Sequence, residues 1–188
     1  GTQSMSQAEE QFAQKNYNEA IVELKIALDA ANEQQEELPQ ARWMLGKSYL
    51  ETGNMVAAAK ELERANQLGW NPNEVLPALA KALLSKGELE QVMTLSTAGL
   101  DPQAAAQLQA QQALAQLGQG DIWTADTYIA KAAELHPDDV EVQIAEARML
   151  GASGDIDGAL ALIQRVIEAQ PYKRDAWSLK GDFLSAKE

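Results

Sequence analysis

Apolar residues recur along the chain in short amphipathic segments, and turn-forming residues separate one segment from the next. Ala20, Leu24, Ala27 and Leu28 fall at i, i+4, i+7 and i+8, which places them on one face of an α-helix. Ala58, Leu62 and Ala65 repeat the arrangement after the turn Gly53-Asn54. The clearest segment reads Gly120-Asp121-Ile122, then Ala125, Ile129, Ala132 and Pro137. The next reads Gly154-Asp155-Ile156, then Ala159, Ile163, Val166 and Pro171, each residue 34 positions on (120 to 154, 137 to 171). Turns are expected near 15–18, 53–55, 86–88, 118–121 and 153–155, with antiparallel helix pairs between them.

Composition makes the chain all-helical. Of 188 residues, 46% are hydrophobic and only 5% aromatic, with helix-forming Ala, Gln, Leu and Glu abundant and β-branched residues sparse. A helix-turn-helix period of 34 resembles the tetratricopeptide repeat, whose pairs of helices A and B stack into a right-handed α-solenoid. On that reading the chain is a single array of about eleven helices. Its repeats cover about 1–34, 39–72, 73–105, 106–139 and 140–173, with a half repeat over 174–188.

Departures from the period carry information. Glu33-Gln34-Gln35-Glu36-Glu37 is a polar insertion that extends a helix end or a loop, and Pro39 suits the first turn of the helix after it. Trp43, Leu45, Gly46 and Tyr49 resemble the helix A signature of the repeat, with Trp one place late. Gly46 is expected where another helix packs closely. In repeat three, Ser96 and Gly99 weaken helix B, which Asp101-Pro102 is expected to end. Residues 96–103 are therefore expected to be the least stable joint. Trp177, Leu179, Phe183 and Leu184 belong to a helix A without its helix B, which predicts weak self-association or packing on another molecule.

Charge and chemistry narrow the function classes. A net charge of −13 supplies no basic footprint for nucleic acid and is repelled by anionic headgroups. Without cysteine there is no disulfide or thiol chemistry, and the one histidine, His136 before Pro137, is read as structural. Asp155, Asp157 and Gly158 place Gly too early for a calcium loop and are read as a repeat turn. Asp138-Asp139 stands where acids favour a helix N-terminus. Gly118 and Gly120 lack the rest of a dinucleotide fingerprint. The reading is of a protein that is not an enzyme, with no catalytic residue, cofactor or metal.

A narrower resemblance covers most of residues 8–186. It is carried by Ile21-Val22-Glu23-Leu24, by Ala41-Arg42 with Leu45-Gly46-Lys47, by Ala58-Ala59-Lys60-Glu61-Leu62 and, most specifically, by residues 68–87, where Val75-Leu76-Pro77 lies inside a helix A. These resemble the N-terminal part of the TPR-repeat lipoprotein of bacterial PEP-CTERM/exosortase systems. The resemblance implies export, a lipid on an upstream cysteine, a periplasmic or outer-membrane-associated place, and a scaffold role near exopolysaccharide production and surface-protein sorting. The chain would then be an N-terminal fragment of a longer array, and its first residue, Gly1 rather than Met, is read as the mark of a processed or trimmed chain. Membrane association would come only through that anchor. The alternative is a cytoplasmic adaptor or co-chaperone that clamps a peptide carboxylate, against which Glu9 stands where Asn is expected.

In tetratricopeptide arrays the residue after the small residue of helix A points into the concave groove. Here Lys47 follows Gly46, Lys81 follows Ala80, Arg148 follows Ala147, and Leu114 follows Ala113. Trp43, Leu50, Leu84, Ala110, Leu117 and Ile144 are expected to share that surface. It would suit a protein or peptide partner with acidic groups and a few apolar anchors. The competing reading has these cations bracing acids of the array such as Glu74 or Glu141.

Overall fold

Each stretch of apolar periodicity in the computed structural model is a helix, and most turns between them hold a residue at positive φ, usually glycine, while Pro137 and Pro171 stand in two others. The structure describes residues 2–188. They form α1 (Thr2–Ala13), α2 (Tyr17–Glu33), α3 (Pro39–Thr52), α4 (Met55–Gln67), α5 (Pro72–Ser85), α6 (Leu89–Thr94), α7 (Pro102–Gly118), α8 (Ile122–Leu135), α9 (Val140–Ala152), α10 (Ile156–Ala169) and α11 (Arg174–Ala186). No strand occurs among the described residues. The chain divides into two compact units, one running to Glu88 and the other from Leu89 to Glu188.

Local chemistry sets the helix ends. Gly53, Gly87, Gly120 and Gly154 take positive φ between 77° and 92°, the left-handed turn that glycine adopts without strain. In three of these turns the following residue caps the next helix. Asn54 accepts the Ala57 N–H, Asp121 that of Thr124, and Asp155 that of Gly158. Asp155 therefore serves the repeat turn, and Asp157 pairs with Lys187 at 2.8 Å. The first repeat makes the same turn with Lys15 at φ 61°. The insertion both lengthens α2 to Glu33 and forms a loop, where Gln35 takes φ 57° and Glu37 pairs with Arg64 at 2.8 Å.

In the first unit, α1 pairs with α2 and α3 with α4. Ala8, Ala20, Leu24, Leu28, Ala41, Met44 and Leu45 form one buried cluster. Gly46 meets α4 so closely that a Cβ added to it would lie 2.6 Å from Leu62 Cγ. Burying a side chain such as Leu62 is worth about 1.5–3 kcal/mol, and only a residue without a side chain admits it here. Pro77 lies buried inside α5, which continues through it to Ser85.

In the second unit, α7 pairs with α8 and α9 with α10, and α11 completes the last cluster with Ala176, Leu179 and Phe183. Leu179 and Phe183, expected to be apolar at an open end, are buried in that cluster, whereas Trp177 and Leu184 are exposed. Helix B of the third repeat corrects the sequence expectation. It stops at Thr94, well before Asp101-Pro102. Residues 95–101 are non-helical because local bonds compete: the Ala98 N–H donates to Ser96 Oγ, and Gly99 turns at φ 79°.

Candidate interaction surface

Close packing of the small helix A residues aims the residues after them. With Gly46 pressed onto Leu62, Lys47 is turned about 100° around α3, away from the pair's interior. Lys47 is half-buried, with Nζ 3.2 Å from the Glu51 carboxylate one turn on. Ala80 on α5 is fully buried in the same way, and Lys81 after it is half-buried. Since α3 packs on α5, the two lysines occupy equivalent positions on adjacent helices of the first unit.

Aromatic residues lie beside Lys47. Trp43, one turn before Lys47, meets Phe12 edge-on at 5.2 Å, and Phe12 meets Tyr17 edge-on at 5.9 Å. Burial, then the Glu51 charge, pushes the Tyr17 phenol up. Trp43 Nε1 is buried without a hydrogen-bond partner. Leu84 is half-buried, but Leu50 is buried and packs inside the unit. As an exposed anchor Leu50 is therefore corrected.

The second unit is corrected further. Ala110, Leu114 and Ile144 are buried, so they hold helices together rather than line a surface. Where A helices such as α7 and α9 touch, the residues one turn apart along the seam are consumed by packing. Of the residues expected there, Leu117 is half-buried and Arg148 exposed. Glu141 pairs at 2.7 Å with Lys173, a cation outside the expected three.

The sequence reading placed Asp139 at a helix N-terminus, and the side-chain bonds that glutamines make between helices escaped it. Asp139, 5% exposed, caps α9 through the Val142 N–H and accepts from Gln103 Nε2 at 3.1 Å and Gln107 Nε2 at 2.8 Å. Gln112 Nε2 donates to the carbonyls of Leu95 at 2.8 Å and Val92 at 3.3 Å. The Gln spacing 103, 107 on one helix face was the available signal for the first. Among the described residues no cluster of three or more His, Asp or Glu side chains could hold a metal ion, and no helix is long and apolar enough to cross a membrane. What the arrangement offers is polar and aromatic contact area on rigid helices.

The tetratricopeptide repeat family matches residues 5–71 and 110–174. This chain belongs to that family. The stretch between the two matches, 72–109, contains the proline-bearing α5 and the short α6 of this TPR protein. Its fold is similar to a thermophilic TPR protein of Thermus thermophilus, with 20% identity over 97% of this chain and 98% of that one and a TM-score of 0.65. It is also similar to the APC/C hetero-tetramer Cut9–Hcn1, with 16% identity over 94% of this chain and 35% of that one and a TM-score of 0.61. A TPR protein of Parabacteroides merdae is similar at 15% identity over 97% and 71% of the chains, with a TM-score of 0.58. No curated protein matches the sequence.

Proposed function

We propose that this TPR protein is a non-catalytic scaffold that holds an acidic protein segment against the A helices of its first unit. The observation that carries the reading is the placement of Lys47 and Lys81 at equivalent positions on the packed helices α3 and α5, beside the half-buried Trp43 and Leu84. The two lysines stand 34 residues apart at the same repeat position, and Lys47 also pairs with Glu51 one turn on. They set orientation and encounter rate, because exposed ion pairs contribute only about 0.2–1 kcal/mol each. Trp43 supplies the apolar anchor that carries affinity. Arg148 offers an exposed cation in the second unit.

The test uses immobilised acidic peptides of about four helical turns, with and without a Leu or Phe anchor. Lys47→Glu with Lys81→Glu should lower binding at least tenfold and flatten its salt dependence, with the helical circular dichroism unchanged. Equal binding by the folded double variant sinks the reading.

The resemblance over 68–87, with Val75-Leu76-Pro77 inside α5, supports a finer proposal. In it the scaffold is exported, lipid-anchored upstream, and serves exopolysaccharide production and surface-protein sorting. A lipobox cysteine upstream and recovery in the outer-membrane fraction are the expected results. An initiator Met directly before the array, with cytoplasmic recovery, favours the adaptor instead.

A further inference from the structure

α8 lies inside the second unit, packed on α7 before it and on α9 after it. Its buried residues are Ala125 and Ala132. At 3.6 residues per turn, Trp123 stands about 160° around the helix from Ala125 and about 180° from Ala132. Trp123 therefore points away from both neighbours and is 86% exposed, with Ile122 beside it 58% exposed. Asp126 and Glu134 share that outward face, at i+3 and i+11 from Trp123, and both are exposed. Neither makes an ion pair among the described residues. Asp121 accepts the Thr124 N–H at 3.1 Å and the Thr124 hydroxyl at 2.7 Å, so its charge offsets the positive helix N-terminus near the indole.

The chain brings no cation to this face. No Lys or Arg stands between Lys86 and Lys131. Lys131 Nζ lies 5.9 Å from the Tyr128 ring centroid and Lys180 Nζ 5.3 Å from that of Trp177, whereas no cation lies over Trp123 among the described residues. The last repeat supplies the contrast. Asp157 and Gln164 of α10 stand 34 residues after Trp123 and Ala130. Lys187 of α11 reaches Asp157 at 2.8 Å, and Lys180 reaches Gln164 at 2.9 Å. The matching places on α9 hold Ser153 and Glu146, neither of them a cation. The outward strip that takes two lysines on α10 is left on α8 as a bare indole with unpaired carboxylates.

We infer that the outward face of α8 docks an arginine-bearing protein segment, with one guanidinium stacked on Trp123 and paired with Asp126 and a second paired with Glu134. A guanidinium fits because its plane stacks on an aromatic ring while its edge donates to a carboxylate. Ile122 gives apolar contact to the residue before the first arginine. Asp126 and Glu134 are about 12 Å apart along the helix, which an extended segment spans in about four residues. The site lies on a B helix of the second unit and takes a partner of opposite charge to the one assigned to Lys47 and Lys81.

The probe is the end-blocked peptide Leu-Arg-Gly-Ser-Gly-Arg, titrated into the full 188-residue chain and followed by the indole and backbone amide resonances. Saturable shifts at the Trp123 indole and at the amides of Asp126 and Glu134 are expected. Trp123→Ala should keep the Tm, because the indole is exposed and Ala is the better helix former, while weakening the peptide at least tenfold. Asp126→Asn, which keeps the shape and removes the charge, should weaken it at least threefold. A peptide with citrulline for both arginines should bind at least tenfold more weakly. Equal binding by the folded Trp123→Ala variant or by the citrulline peptide overturns the proposal. So do shifts spread evenly over the acidic surface with none concentrated on α8. A dimer of the chain alone, seen by sedimentation and lost in Trp123→Ala, would give the face to a second copy and overturn it too. Charge reversal at Lys47 and Lys81 should leave the α8 shifts unchanged, which separates this site from the first surface.

Discussion

Gln112, buried on α7, donates its Nε2 to the Leu95 carbonyl at 2.8 Å. The same amide reaches the Val92 carbonyl at 3.3 Å, so one side chain holds the Leu95 carbonyl just past α6 and shares the Val92 carbonyl with the Leu95 N–H. Gln112→Leu removes both bonds, and leaving the Leu95 carbonyl without this donor costs about 1–3 kcal/mol. Amides of residues 92–95 should exchange faster, and the Tm should fall. Unchanged exchange there means that α6 ends without help from α7.

Asp139 joins α7 to α9 through Gln103, Gln107 and its own cap on Val142. Asp139→Asn keeps an acceptor oxygen for the cap but loses the charge that strengthens the glutamine bonds. Asp139→Ala loses everything and should cost about 2 kcal/mol or more, against about 1 kcal/mol for an ordinary cap. Urea unfolding of the two variants separates them. Equal, small losses would leave the glutamine bonds without energetic weight.

Lys15 holds φ 61° in the turn where the later repeats use glycine. The left-handed conformation costs a side-chain-bearing residue about 1–2 kcal/mol, and glycine gives back part of that as chain entropy in the unfolded state. Lys15→Gly should therefore raise stability by about 0.5–1 kcal/mol. Lys15→Val should lower it, because a β-branched residue tolerates this backbone least. Thermal unfolding of both variants checks the sign.

Glu146 on α9 has its carboxyl pushed up by burial, which the nearby Arg165 charge opposes. An acid whose folded pKa is raised is favoured in its protonated form. Its ionisation therefore costs stability, starting as pH rises through the ordinary carboxylate range and complete above the folded pKa. Glu146→Gln should raise the Tm at about pH 7 and leave it unchanged at about pH 3, below the ordinary carboxylate pKa. A gain of the same size at both pH values would point to packing rather than charge.

Much of the fold was legible because its signals are local. A glycine at positive φ followed by Asn or Asp writes a turn and a cap into adjacent residues, as at Gly53-Asn54, Gly120-Asp121 and Gly154-Asp155. The 34-residue period and the close contact at Gly46 follow from the same repetition. Amphipathic spacing also named the inner residues of each pair, Leu24 and Leu62 among them, because a helix with one apolar face must bury it.

Which residues remain at the surface was decided only by tertiary packing. Leu50, Ala110, Leu114 and Ile144 sit at positions that the period assigns to a groove, yet they are buried. A helix in a stack contacts its own partner and its neighbours, so more of its circumference is covered than one apolar stripe declares. The end of α6 at Thr94 likewise depends on Gln112, far along the chain on α7, and on a turn at Ser96 that competes with the helix. Sequence alone set the repeats and their turns, because backbone conformation there depends on neighbouring residues. Tertiary structure chose between core and surface for Leu50 and Leu184, because burial depends on what another helix brings to that face.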